Sequence, residues 1–475
     1  MIDTLTPYPA YKESGLPWLG QVPEHWEVLP NRGIFIEIND RNHPDEEMLS
    51  VTITKGIVKQ QSLLENTSKK DSSNMNKSFY KFVKPGDIAY NKMRAWQGAF
   101  GKSLFKGIIS PAYVVMRTRH EKNLPDYFHQ LFRTSQFAKE AERWSYGITS
   151  DMWSLRPEHF KMIYIPLPPP AEQAAIVRFL DWAGGRLERT IRAKRKIIAL
   201  LNEQKQAIIH RAVTRGLDPN VPLKDSGIPW LGEIPAHWEV RQLRHIGQLF
   251  KGSGGNKEDA TSIGVPCIRY GELYFRYRNF IRQPQGFISE DNAKIYTPIH
   301  FGDVLFAASG EKIEEIGKSA VNLYDGFAVC GGDIVIFRPT DSIHPPFLGY
   351  SLDSFSAAHQ KATMCRGTTI KHIYPDELRS LWTCIPPLTE QKTISDELVN
   401  LLNGLTTAIS RLEREIELLR EYRTRLISDV VTGKLDVRAA AASLPAEPGS
   451  DSLATDLHAL EDDTVDELDA TEEDV

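Results

Sequence analysis

The chain has 475 residues, 41% of them apolar, enough to build several cores of ordinary domain size, which excludes a small peptide stapled by disulfides. Its net charge of −5 hides an uneven distribution: residues 439–475 hold twelve Asp/Glu and no Lys/Arg, leaving +7 on the first 438 residues. That surplus suits an anionic partner such as DNA without requiring one. Cys267, Cys330, Cys365 and Cys384 form no CxxC pair, so neither a zinc ribbon nor a disulfide framework is expected, and free thiols in a reducing compartment are the simplest reading. The opening MIDTLTPYPAYKESG lacks a basic stretch followed by an apolar run. No stretch of about 18 apolar residues occurs anywhere, so a cytoplasmic protein that does not enter a membrane is expected.

In chain order, SGLPWLGQVPEHWEV at 14–28 comes first and returns as SGIPWLGEIPAHWEV at 226–240, identical at eleven of fifteen positions. Its tryptophans Trp18, Trp26, Trp230 and Trp238 read as packing residues, and His25 and His237 as structural polar groups. SFYKFVKPGDIAYNKM and GIISPAYVVMR then give short aromatic and β-branched runs broken by turn residues, the texture of strands. A helical segment is expected within 125–143. Glu172–Val213 contains no proline and predicts one long helix, about 60 Å if continuous. Its apolar stripe is Leu180, Ala183, Leu187, Ile191, Lys194, Ile198, Leu201, Lys205, Ile208 and Ala212, in alternating steps of three and four. Gly184-Gly185 is a place for a bend.

TRGLD at 214–218 closes the first half. In the second half, GSGG at 252–255 reads as a flexible turn without a phosphate-loop pattern. FGDVLFAAS and GGDIVIFRP give strands, and a short helix is expected near 346–354. PGDIAYNKMRAWQGAFGKS, near 85–103, aligns with FGDVLFAASGEKIEEIGKS, near 301–319, through the Gly-Asp turn and the final Gly-Lys-Ser. A second long helix repeats the stripe as Leu398, Leu401 or Leu402, Leu405, Ile409, Leu412, Ile416, Leu419, Arg423, Leu426 and Val430, ending at TGKLD, 432–436. Glu172-Gln173 and Glu390-Gln391 open the two helices, where acidic groups suit the positive N-terminal end. Two amphipathic stripes are best covered by antiparallel pairing with each other; packing of each helix on its own preceding domain is the alternative.

The duplicated G(L/I)PWLG…P.HWEV opening, the two globular regions, the two PP..EQ helix starts and the TRGLD/TGKLD exits resemble the specificity subunit of type I restriction-modification systems over residues 11–438. The resemblance implies an α+β fold of two similar mixed target-recognition domains separated by an antiparallel pair of long coiled-coil helices. Its domains would be 1–165 and 226–384 for recognition, 166–213 and 385–438 for the spacer helices, 214–225 for the crossover, and 439–475 for a disordered acidic tail. It implies recognition of an asymmetric bipartite double-stranded DNA target, with two modification methyltransferase subunits and restriction-translocase subunits as partners. S-adenosylmethionine, ATP and Mg would be their cofactors; none is expected in this chain, nor a catalytic or metal-binding residue. The location implied is on bacterial or archaeal DNA. A protein-binding helical scaffold and an unfamiliar DNA-processing enzyme are the rival readings.

Candidate DNA contacts are mixed basic and aromatic clusters. In the first half these are Lys92, Arg94, Trp96, Gln97 and Lys102, then Arg143, Trp144, Ser145 and Tyr146. In the second half they are Arg269, Tyr270, Tyr274, Arg276, Tyr277 and Arg278, then Ser309, Lys312 and Lys318, where Glu311, Glu314 and Glu315 weaken the case for a phosphate-facing loop. Locally packed aromatics beside solvated cations are the alternative for each cluster.

Overall fold

Strand alternation decides how the sheets are packed. A computed structural model describes residues 5–64, 77–147, 152–310, 313, 316–367 and 370–445. The chain divides into two compact units, 1–192 with 416–475, and 193–415.

In the first unit, strands Phe35–Ile38, Tyr113–Thr118, Ile88–Asn91 and Phe100–Lys102 form an antiparallel four-stranded sheet in that order. Successive side chains of a strand face opposite ways. Ile88, Tyr90, Val114 and Met116 accordingly enter one core, with Phe100, Phe128, Phe132, Phe137 and Phe160. Ala89 and Val115 enter another, under the hairpin Leu49–Thr52/Gly56–Lys59. The 125–143 segment is two helices, Pro125–Phe132 and Ser135–Arg143, divided where the Thr134 hydroxyl accepts from the Phe137 N–H and caps the second.

The second unit has two five-stranded sheets. One runs Gly247–Lys251, Ile334–Pro339, Val304–Ala307, Ser319–Asn322, Asn279–Ile281, with only the last pair parallel. Val304 and Phe306 face one core and Leu305 and Ala307 another, so this central strand is buried along both faces. The second sheet is built around Val265–Ile268 and Ala328–Cys330. GSGG is a packed turn rather than a loose one: Gly254 has φ +80°, and a Cβ there would meet the Tyr296 ring at 2.5 Å. Beyond the expected helix, found at Pro345–Ser351, lies another at Phe355–Met364.

The long helices are Pro170–Arg215 and Leu388–Val431, and the first runs through Gly184-Gly185 without a break. Each contributes a portion to each unit. In the first unit, Leu180 and Ala183 share a core with Leu426 and Val430, and Arg423 pairs with Glu188 at 3.4 Å. In the second, Ile209 and Ala212 share one with Leu398 and Leu402, Lys205 Nζ donates to Thr406 Oγ1 at 3.0 Å, and Lys194 pairs with Glu415. Within each unit the two portions therefore run antiparallel. Leu187, Ile191, Ile409 and Ile416 are buried, while Ile198, Leu201, Ile208, Leu405, Leu412 and Leu419 are partly covered. Leu402 is buried and Leu401 exposed, which settles the ambiguous stripe position. The second helix stops at Val431, short of 438. Residues 438–442 form a separate short helix, with Ala441 and Leu444 buried; of the acidic tail, 446–475 lies outside the described residues.

Tyr90 lies fully buried in the first core, and its hydroxyl has no hydrogen-bond partner among the described residues. Burial pushes its pKa well above the usual 10. The folded state holds this proton while the unfolded state releases it near pH 10, so stability falls as pH rises past 10. Tyr90→Phe is expected to gain about 1 kcal/mol at pH 7 by removing an unmet polar group. The gain should widen above pH 10; urea midpoints at the two pH values check this.

Candidate nucleic-acid interface

The repeated opening motif is a docking device for the long helices. In the first unit, the Glu172 carboxylate accepts from the Tyr8 hydroxyl, from Trp26 Nε1 (2.9 Å) and pairs with His25 Nε2 (2.8 Å). In the second, Glu390 pairs with His237 Nε2 at 2.8 Å, while the buried Trp238 Nε1 finds no acceptor among the described residues. The adjacent glutamines act identically. Gln173 accepts from the Leu124 N–H and donates to Pro168 O, as Gln391 accepts from the His344 N–H and donates to Pro386 O, all at 2.8–2.9 Å. These glutamines tie each globular segment's helix to the start of a long helix, a role their positions alone did not signal. The exits interlock with the openings: a Cβ on Gly216 would sit 3.3 Å from Trp238, and one on Gly433 would sit 3.0 Å from Trp26 and 2.3 Å from Pro23. Both glycines have positive φ, as the turn after a helix favours.

A second repeated feature was hidden in the Gly-Asp turns. Asp87 and Asp303 are each 1% exposed. Arg117 Nε and Nη2 donate to the two oxygens of Asp87 at 2.6 and 2.8 Å, and Arg338 grips Asp303 in the same way at 2.9 and 2.7 Å. The Gly-Lys-Ser match, however, does not reflect equivalent positions. Asp87 O accepts from the Ser103 N–H, but Asp303 O accepts from the Asn322 N–H. The second-half turn is three residues longer, so Lys102 corresponds in register to Val321 and not to Lys318.

The first-half candidates gather around one surface turn. Lys92–Gly98 follows the strand Ile88–Asn91; Arg94 Nη1 donates to Gln97 Oε1 (3.3 Å), Trp96 Nε1 donates to Met93 O, and Trp96 stands edge-on to Trp153 at 5.6 Å. Leu155 N–H donates to Lys92 O, and Tyr146 bridges Ser154, which brings the second cluster alongside the first. Tyr146 is 59% exposed and contacts His159; Arg143 is exposed beside Glu140, whose carboxylate also accepts from Trp144 Nε1, and Ser145 is buried. Lys102 stands apart, ion-paired with Asp126.

In the second half, Tyr270–Phe275 is a short helix on which Tyr270 and Tyr274 lie 5.5 Å apart. Lys318 Nζ donates to Tyr274 O and sits over its ring at 5.4 Å, and Gly310, next to Ser309, is beside the Tyr274 hydroxyl. Ser309 Oγ contacts His372 Nδ1 at 3.1 Å. Arg269 Nη2 lies 3.9 Å from Glu272. Arg276 is exposed and donates to Gln285 Oε1, and Arg278 is exposed and reaches Asn202 of the long helix. Tyr277 is a core residue, 7% exposed, its hydroxyl accepting from the Gln285 N–H. Lys312, Glu311, Glu314 and Glu315 lie outside the described residues. Phe275, 71% exposed beside this cluster, is an aromatic that the basic-aromatic pattern passed over.

Among the described residues no His/Cys/Asp/Glu group is arranged to hold a metal ion, and no helix is long and apolar enough to cross a membrane. The buried Cys267 and Cys384 thiols are pushed up to about 12 by burial and are unreactive.

Residues 235–418 match the family described as the type I restriction modification DNA specificity domain. The type I restriction enzyme MjaVIII specificity subunit of Methanocaldococcus jannaschii is 25% identical over 438 residues, spanning 88% of this chain and 95% of its own. The EcoKI specificity subunit of Escherichia coli K12 is 24% identical over 211 residues, 43% of this chain and 44% of its own. A solved chain from work on complex assembly and conformational transition of the type I R-M system superposes with a TM-score of 0.59 at 16% identity, over 87% of this chain and 99% of that one, and so shares the fold. With its duplicated opening motifs, helix starts and exits, the chain is similar along most of its length to type I restriction enzyme specificity subunits, and residues 235–418 match the DNA specificity domain of that family.

Proposed function

We propose that this chain reads an asymmetric bipartite double-stranded DNA sequence and positions two adenine methyltransferase subunits, and restriction-translocase subunits, upon it. Residues 1–165 and 226–384 act as the two target-recognition domains, and the long helices, 166–213 and 385–438, as a coiled-coil spacer joined through 214–225. The chain is noncatalytic. S-adenosylmethionine serves the methyltransferase partners, ATP with Mg the restriction partners, and the complex works on DNA in the cytoplasm.

The carrying observation is a duplicated frame with dissimilar faces. The His25–Glu172 and His237–Glu390 pairs, and the Asp87–Arg117 and Asp303–Arg338 grips, repeat closely. The surfaces beside the frame do not: one offers Lys92, Arg94 and Gln97 on a turn, the other Tyr270, Tyr274 and Arg276 on a short helix and its C-terminal end. A near-repeat that presents different side chains suits two like partners flanking two unlike half-sites. Arg276→Ala is expected to cost about 1–3 kcal/mol of discrimination in one half-site and leave the base preference of the other unchanged. Binding to a panel of singly substituted duplexes checks this; equal losses at both half-sites would contradict it.

A further inference from the structure

Each unit builds the same small backbone bridge beside its Gly-Asp turn, and the exposed residue on the bridge differs. In the first unit, Tyr146 bridges Ser154, the Leu155 N–H donates to Lys92 O, and Gly147 follows Tyr146 where a Cβ would collide with the Met152 carbonyl. In the second, Arg366 bridges His372 through bonds of 2.9 and 2.7 Å, the Ile373 N–H donates to Ala308 O, and Gly367 follows Arg366 where a Cβ would collide with the Ile370 carbonyl. Lys92 and Ala308 each lie five residues after the buried aspartate, Asp87 or Asp303. Arg366 therefore stands where Tyr146 stands, although the basic and aromatic clusters of the sequence passed it over.

The Arg366 side chain is exposed but not loose. Its Nη2 lies 2.8 Å from Oε1 of Glu377, a side chain only 12% exposed. The other oxygen of that carboxylate accepts from the Tyr374 N–H at 3.1 Å, which fixes Glu377 to the start of the helix Pro375–Leu378. The rest of the guanidinium has no partner among the described residues. A free arginine gives up rotamer freedom on binding; this one has surrendered part of it in advance. Beside it, the Tyr374 ring is exposed and stacks on His372 at 6.2 Å. The strand pair Ser309–Gly310/Lys371–His372 links this bridge to Tyr274, whose hydroxyl is next to Gly310, so both belong to one surface of the second unit.

We propose that Arg366 reads a guanine in the half-site taken by the second unit, with Glu377 as its positioning residue. An exposed arginine on a DNA-binding surface has two natural targets, a backbone phosphate and the N7/O6 edge of guanine. The carboxylate decides between them. It offsets the undirected pull of the cation on phosphate, whereas the planar fork of N–H groups keeps its match to the two guanine acceptors. The inference rests on the proposed function and goes beyond it in naming a base and the residue that reads it.

The test uses the chain purified with the methyltransferase expressed beside it, and duplexes carrying the sequence methylated in the unaltered strain, each changed at one base pair. Arg366→Ala should lower the preference for guanine at one position of one half-site by about fivefold to a hundredfold and leave the other positions within about twofold. Arg366→Lys keeps the charge, loses the fork and should relax the same position. Replacing that guanine by 7-deazaguanine, which removes the N7 acceptor, should weaken binding of the unaltered chain and leave Arg366→Ala unaffected. Glu377→Gln keeps an acceptor for the Tyr374 N–H and should relax the same position less, with no further loss when joined to Arg366→Ala. Even losses at every position, with a salt dependence shallower by about one counterion, would assign Arg366 to a phosphate and overturn the proposal. A preferred sequence that Arg366→Ala leaves unchanged would overturn this inference alone; an unaltered complex that prefers no sequence would overturn the proposed function with it.

Discussion

If the chain acts as proposed, adding four residues after Ser410 and four after Leu200 should lengthen the gap between the two half-sites by about two base pairs and leave both half-sites unchanged. The two insertion points face each other in the antiparallel register set by Lys194–Glu415 and Lys205–Thr406. Both residues are exposed, so the insertion adds helix without cutting into the apolar stripe. Four residues add about 6 Å and slightly more than one turn, so flanking faces stay nearly in phase. Duplex DNA advances about 3.4 Å per base pair, which converts the added length to about two. Methylation motifs, or binding to duplexes of graded spacing, report the outcome. An unchanged gap in a folded, active variant would count against helices that set distance.

Asp303→Ala should cost the second unit about 3 kcal/mol of stability. Its carboxylate is sealed from water, takes both arms of Arg338 and also accepts from the His300 N–H at 2.8 Å. Removing it strands a guanidinium and an amide donor together, and breaking a buried pair on one side typically costs about 3–5 kcal/mol. Arg338 keeps some access to water, which puts the loss at the lower end. Asp303→Asn preserves an acceptor and should lose less. Urea denaturation of the two variants orders them, and equal midpoints for Asp303→Ala and the unaltered chain would contradict this reading of the turn. Because Asp303 precedes the strand that leads to Ser309 and Gly310, the same change should loosen the surface around Tyr274.

The duplication, the long helices and their stripes, and the mixed strand texture were all legible, because repetition and periodicity are properties of the letters themselves. The ambiguous Leu401/Leu402 step needed the helix phase that packing supplies. The helix Phe355–Met364 was silent for a physical reason: it buries Ser356, Gln360 and Lys361, and exposes Phe355, inverting the usual apolar face. Lys361 is retained inside because its ammonium donates to the carbonyls of Gly317 and Leu352, partners that no local pattern announces. The buried aspartates read as ordinary turn residues for the same reason, since Arg117 and Arg338 are thirty or more residues away. In the candidate interface, Tyr274 and Tyr277 are the same letter three positions apart, yet one lines the surface cluster and the other the core. The apparent Gly-Lys-Ser equivalence failed because a three-residue difference in turn length shifts strand register, which governs position more strictly than letter identity does.

The most direct measurement is a genome-wide map of N6-methyladenine in matched strains with and without this gene, keeping the methyltransferase partner expressed and active in both. The account predicts that one asymmetric bipartite motif loses its methylation when the chain is absent and regains it when the chain is restored. An unchanged map would contradict a role in choosing the methylated sequence.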